Sequence, residues 1–93
     1  MPFIFNEDCL TINIGRPSGT TSTSKLPVAI WIHGGEYHEG SSSITTFNLS
    51  QVIQVSEQMS KPVIVVSFNY RLGAWGFLPG NEIAAEGGLN NGL

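Results

Sequence analysis

Charge is scarce in this chain. Only 12% of its 93 residues are Asp, Glu, Lys or Arg, about half the roughly 25% usual in soluble domains, which marks much of its surface as fitted to lie against other protein. Four Lys plus Arg stand against seven Asp plus Glu, a net charge of −3. Phosphate backbones are held by clustered cations, so nucleic acid is excluded as a partner. Cys9 is the sole cysteine, which rules out a disulfide within the chain and leaves the redox compartment unmarked. No apolar run approaches the ~20 residues of a membrane-spanning helix. The opening Met1-Pro2-Phe3-Ile4-Phe5-Asn6 lacks the basic and apolar regions of a secretory signal, so no localisation is assigned.

What is present is apolar, at 41% of residues, and it is patterned. From Cys9 to Arg16 the residues alternate, with Leu10, Ile12 and Ile14 on one side and Cys9, Thr11 and Asn13 on the other. This predicts a half-buried strand. Residues 17–24, small and polar, predict a surface loop within one domain. Pro27 to Ile32 and Pro62 to Phe68 are continuous Val/Ile-rich runs, the mark of strands buried on both faces of a parallel sheet. Between them Leu49, Val52, Ile53, Ser56 and Met59 recur at helical spacing. Asn48 stands as N-cap, with Gln51 completing a capping box. Asn48-Leu49-Ser50 is also a glycosylation sequon, which the cap role outweighs. Strand, helix, strand with parallel strands implies a right-handed crossover and an α/β class. Arg71 to Gly80, punctuated by glycine and rich in aromatics, predicts a packed loop, and Asn90 offers a further N-cap.

In open α/β sheets the working edge lies outside the carboxyl ends of the parallel strands, which selects His33 to Tyr37 and Asn69 to Arg71. Gly34 and Gly35 let the backbone turn sharply and bring amides close to a developing negative charge. On spacing alone an ordinary strand-end turn explains the same glycines. Neither phosphate-binding glycine pattern fits Gly34, Gly35 and Gly40. His33, Glu36, His38 and Glu39 match no zinc-binding helix motif, and two glycines interrupt them, so no metal is expected. His33 has no nucleophile in this chain to serve as base, since Gly-x-Ser-x-Gly is absent, and is expected to be a hydrogen-bonded strand-end residue. Arg71 is expected to pair with Glu82 or Glu86, and Trp31, Trp75 and Phe77 to be core aromatics.

Four stretches together resemble the type-B carboxylesterase family, the α/β-hydrolases that include fungal lipases and cholinesterases. They are Glu7-Asp8-Cys9-Leu10-Thr11-Ile12-Asn13, Pro27 through Gly35, Asn69 through Leu78, and Glu86-Gly87 followed by Asn90-x-Gly92-Leu93. The resemblance implies a partial, incomplete α/β-hydrolase sheet. The Cys9–Arg16 strand would lie antiparallel beside the Pro62–Phe68 strand, with the Pro27–Ile32 strand parallel on that strand's other side, linked by a helical crossover. Residues 1–93 would form the amino-terminal part of a single domain. The oxyanion hole would be the turn Gly34, Gly35, Glu36, with amides from Gly35 and Glu36 and a third from the residue after the nucleophilic serine. That serine, in the family's Gly-Glu-Ser-Ala-Gly elbow, and the acid and histidine of the triad would lie beyond the point matching Leu93.

In many members the cysteine matching Cys9 is disulfide-bonded to one upstream, and members are often secreted. The family pattern is usually Gly-Gly-Gly where this chain has Gly34-Gly35-Glu36. A side chain at positive φ there costs about 1–3 kcal/mol, and the Glu36 carboxylate is expected to face solvent. The chain is therefore expected to be part of a carboxylic-ester hydrolase acting by serine acyl transfer on small-molecule or lipid esters, without cofactor and inactive alone. A non-catalytic cholinesterase-like interaction module and a truncated product without independent function stay open as alternatives.

Overall fold

The computed structural model describes residues 5–92. In chain order it holds strand β1 (Ile12–Gly15), strand β2 (Val28–Ile32), helix α1 (Leu49–Gln58), strand β3 (Ile64–Phe68) and two short helices, α2 (Gly73–Phe77) and α3 (Asn81–Ala85). The three strands form one sheet in the order β1-β3-β2. β1 runs antiparallel to β3, with Ile12 opposite Phe68 and Gly15 opposite Val65. β2 runs parallel to β3, with Val28 opposite Ile64 and Ile32 opposite Phe68. This is the strand order and direction that the resemblance implied, one antiparallel strand beside two parallel ones.

Side chains alternate across the sheet and partners in register share a face, so the two faces can be written from the pairing. Asn13, Gly15, Ala29, Trp31, Val65 and Ser67 look one way. α1 packs on that face over β3 and β1, with Leu49 and Ile53 half-buried and Ser56 buried. Gly15 makes room for it: a Cβ there would lie 2.6 Å from Cδ1 of Ile53. Ser56 Oγ donates to the Ile53 carbonyl at 2.7 Å and accepts the Val63 amide at 3.3 Å, tying the helix to the entry of β3. Asn48 caps α1 as expected, although its side chain accepts from the Ser50 amide at 3.0 Å and Gln51 returns no side-chain bond among the described residues. The capping box is therefore only half made.

The opposite face carries Ile12, Ile14, Val28, Ile30, Ile32, Ile64, Val66 and Phe68, apolar at every position. No element among the described residues covers it. Ile12, Ile14, Val28, Ile30 and Ile32 are each half or more exposed. Composition suits β2 and β3 to double burial, yet β3 is covered on one side only and β2 is exposed at every position. Among the described residues the buried hydrophobic side chains are reduced to Val65 and Tyr70, beside the polar His33, Ser56 and Ser67. The surface is correspondingly large, 7406 Å² for 10.0 kDa, where a compact monomer of that mass exposes about 5,200 Å². The radius of gyration is 16.9 Å, against about 12 Å for a compact domain of this length.

Three expectations are corrected. Residues 71–80 are not all loop, since α2 occupies their centre and α3 follows; each is five residues long and neither start carries a side-chain cap bond, which is why no periodic signal announced them. Trp75 is 79% and Trp31 37% exposed, so neither is a core aromatic; Trp31 meets Phe47, itself exposed, with centroids 4.0 Å apart, and Phe77 is half-buried. Arg71 pairs with Glu7 at 3.2 Å, not with Glu82 or Glu86; both partners are exposed enough that water screens most of the attraction. Asn90 opens no helix through residue 92.

Candidate functional site

β2 delivers its chain at the carboxyl edge of the sheet directly into His33-Gly34-Gly35-Glu36-Tyr37. The turn is tight and left-handed: φ is 130° at Gly35, 56° at Glu36 and 63° at Tyr37. The Gly35 carbonyl accepts two amides, from His38 at 2.9 Å and Glu39 at 3.1 Å, which folds the chain back over itself. Only glycine fits position 35, where a Cβ would fall on the Glu39 carbonyl. Gly40, at φ 117°, closes the loop with equal economy of space. A Cβ there would fall on the Gly34 carbonyl and on Nδ1 of His33.

While the carbonyls of His33, Gly34, Gly35 and Tyr37 are occupied, the amides of the turn are not. Among the described residues, the backbone N–H groups of Gly34, Gly35, Glu36 and Tyr37 donate to no protein acceptor. Gly34 and Glu36 are exposed and Gly35 is half-buried, so the donors are open to a ligand. A cluster of unpaired amides at a strand end can stabilise an oxygen that gains negative charge. The Glu36 carboxylate makes no ion pair among the described residues.

The floor under the turn is aromatic. His33 is only 3% exposed, and its ring stacks on Tyr70 with centroids 4.4 Å apart and an interplanar angle of 16°. Its Nδ1 lies 3.0 Å from the Gly34 carbonyl; a carbonyl can only accept, so Nδ1 carries the proton. The Tyr70 hydroxyl donates to the His33 carbonyl at 2.7 Å. Tyr37 meets Phe77 edge-on at 5.3 Å, and its carbonyl accepts the Gly73 amide at 2.6 Å. At the far end of the loop, Asn69 Oδ1 accepts the Ser42 amide at 2.9 Å while Nδ2 donates to the Cys9 carbonyl at 2.9 Å.

His33 is thus the hydrogen-bonded strand-end residue expected of it. The parts played by Asn69 and Tyr70 went unassigned in the sequence. Their place directly after a buried strand was the one available signal.

A hollow of about 560 Å³ opens beside the turn, bounded by Cys9, Leu10, His33, Tyr70, Leu72 and Trp75 among others, a size that suits a small organic ligand. It reaches the base of the turn at His33, Gly40 and Ser41 and does not include the amides at 34–36. Cys9 is exposed as a free thiol. Among the described residues no cluster of three or more His, Cys, Asp or Glu could hold a metal ion, and no helix is long and apolar enough to cross a membrane.

The profile of the carboxylesterase family matches residues 2–93. Lipase 4 of Diutina rugosa is 54% identical over 87 residues, which cover 94% of this chain and 16% of that protein. Lipase 1 of Geotrichum candidum is 48% identical over 88 residues, covering 95% of this chain and 15% of its own length. Among solved structures, the crystal structure of Aspergillus niger EstA superposes with a TM-score of 0.79 at 47% identity, covering 94% of this chain and 16% of that one. The chain therefore spans about a sixth of the length of relatives such as Diutina rugosa lipase 4, at 16%. Profile, sequence identity and superposition agree, and this chain belongs to the carboxylesterase family.

Proposed function

We propose that residues 1–93 are the amino-terminal part of a single α/β-hydrolase domain, and that they supply a carboxylic-ester hydrolase with its central strands and oxyanion amides. The observation that carries this is the run of unpaired N–H groups at Gly34, Gly35 and Glu36 on the carboxyl end of a parallel strand. In serine acyl transfer the hydroxyl oxygen adds to the ester carbonyl, whose oxygen becomes an oxyanion; donors aimed at that oxygen lower the barrier, and one of them is worth about 10²- to 10³-fold in rate. The Gly35 and Glu36 amides take that role here. The serine, its base and the acid come from sequence that these 93 residues do not contain. Ester substrates fit the family, whose relatives bear the names lipase and carboxylesterase.

The test is a chimera in which the whole chain replaces the matching segment of Diutina rugosa lipase 4. With p-nitrophenyl butyrate as substrate, kcat is expected within about tenfold of the parent lipase, a loss smaller than that of one oxyanion donor. The isolated 93-residue chain is expected to hydrolyse no faster than buffer. A folded chimera more than a thousandfold slower than the parent sinks the assignment, and serine-type turnover by the isolated chain refutes the division of labour.

Glu36 departs from the usual glycine, and in that chimera Glu36→Gly is expected to change turnover less than about threefold, because the carboxylate is solvated. Releasing a left-handed side chain recovers about 1–2 kcal/mol and the added glycine entropy returns about 0.5–1 of it. A melting temperature that rises slightly at constant kcat agrees with this. A tenfold gain in kcat shows instead that the carboxylate opposes the oxyanion.

A further inference from the structure

The geometry points to Tyr70 as a positioning residue that aims the oxyanion amides without touching the substrate, an inference that rests on the function proposed above. A peptide unit is planar and trans, so its N–H and C=O point in opposite directions and fixing one end fixes the other. The amides of Gly34, Gly35 and Glu36 each belong to a peptide whose carbonyl is held. The Gly34 N–H shares its peptide with the His33 carbonyl, which accepts the Tyr70 hydroxyl at 2.7 Å. The Gly35 N–H shares its peptide with the Gly34 carbonyl, which accepts Nδ1 of His33 at 3.0 Å. The Glu36 N–H shares its peptide with the Gly35 carbonyl, held by the His38 and Glu39 amides.

Tyr70 governs the first two of these three; of them only the second, the Gly35 amide, is one of the two donors assigned to the oxyanion, and the first is the peptide plane that leads directly into it. Its hydroxyl sets the first directly. Its ring, stacked on His33 at 4.4 Å, holds the imidazole that sets the second. The phenol is buried, with the residue 9% exposed, so water does not readily replace the bond it makes. Within the turn only the His33 ring contributes to this control, and the two glycines leave their peptide planes free to rotate once the carbonyls are released.

Two substitutions in the lipase 4 chimera separate aiming from mere support. Tyr70→Phe keeps the stacked ring and removes only the hydroxyl; Tyr70→Leu removes the stack as well. Rates are taken per active site titrated to completion with a phosphonate, so that unfolded protein does not count. For Tyr70→Phe, kcat on p-nitrophenyl butyrate is expected to fall about tenfold with KM within about twofold, a fraction of the 10²–10³ cost of losing a donor outright. Affinity for a butyl trifluoromethyl ketone, which mimics the tetrahedral oxyanion, is expected to fall by the same factor.

Tyr70→Leu is expected to lose about a hundredfold in kcat, the scale of a 1 Å misplacement. A Tyr70→Phe enzyme with a lowered melting temperature but kcat and ketone affinity within twofold of its parent overturns the inference, as does a loss expressed in KM alone. An unsubstituted chimera that folds without turnover overturns the proposed function and this inference with it, whereas an active chimera indifferent to position 70 overturns this one only.

Discussion

Gly40→Ala in the chimera is expected to lower ester turnover by more than about a hundredfold, the cost of displacing reacting groups by around 1 Å. The added methyl falls on the Gly34 carbonyl and on Nδ1 of His33, the two atoms whose bond fixes the direction of the Gly35 amide. Alanine is also strained at φ 117°, and crowding a packed site costs typically 1–3 kcal/mol beyond that. Gly19→Ala serves as control. Gly19 sits at φ 79° in the loop between β1 and β2, with nothing within 4 Å of the place its Cβ would take. It bears the backbone strain without the collision, and should lose some stability and no turnover per folded enzyme. Equal behaviour of the two variants would mean that the turn relaxes around the methyl and that its shape does not aim the amides.

Ile30→Lys is expected to have opposite effects in two settings. Within the 93-residue chain Ile30 is 62% exposed, midway along the outer strand β2 on the bare apolar face, and a lysine there should raise solubility and reduce self-association, since exposed apolar patches drive association. Within the chimera that face is expected to lie under the rest of the hydrolase domain, because a sheet of this composition is buried on both sides. A lysine buried there without a partner costs several kcal/mol, enough to remove most soluble, active enzyme given stabilities of about 5–15 kcal/mol. Sedimentation of the isolated chain and soluble activity of the chimera provide the two readings. A chimera that tolerates the lysine would show that this face stays open to water in the assembled domain.

The strands were legible because their signals are strong and local: alternation in β1, and β-branched runs opened by proline for β2 and β3. α1 was legible from its spacing and from Asn48. The sheet order was not contained in those patterns, which fix neither partners nor direction; it came from the resemblance, and the pairing of Ile12 with Phe68 and Ile32 with Phe68 agrees with it. α2 and α3 were missed because helices of five residues have too few turns to show a period. Burial was misjudged for Trp75, whose composition speaks of cover that these residues do not provide to one another. A turn at Gly34 and Gly35 was legible from the glycines after an apolar run, and the structure makes it; its proposed role, and Glu36 with it, came from the resemblance. The support beneath it was not legible, since Tyr70 and His33 are 37 residues apart and only the parallel pairing of β2 with β3 brings their ends together.

The order β1-β3-β2 leaves both outer strands with one open side among the described residues. Such margins recruit further strands indiscriminately. In a protein as long as Diutina rugosa lipase 4, of which this segment is 16%, translation at about 5–20 residues per second leaves on the order of half a minute or more between this sheet and the last of its cover. For that interval the emerging polypeptide carries adhesive margins and a greasy flank at once, so its yield in a cell should depend on chaperones that shield it at the ribosome.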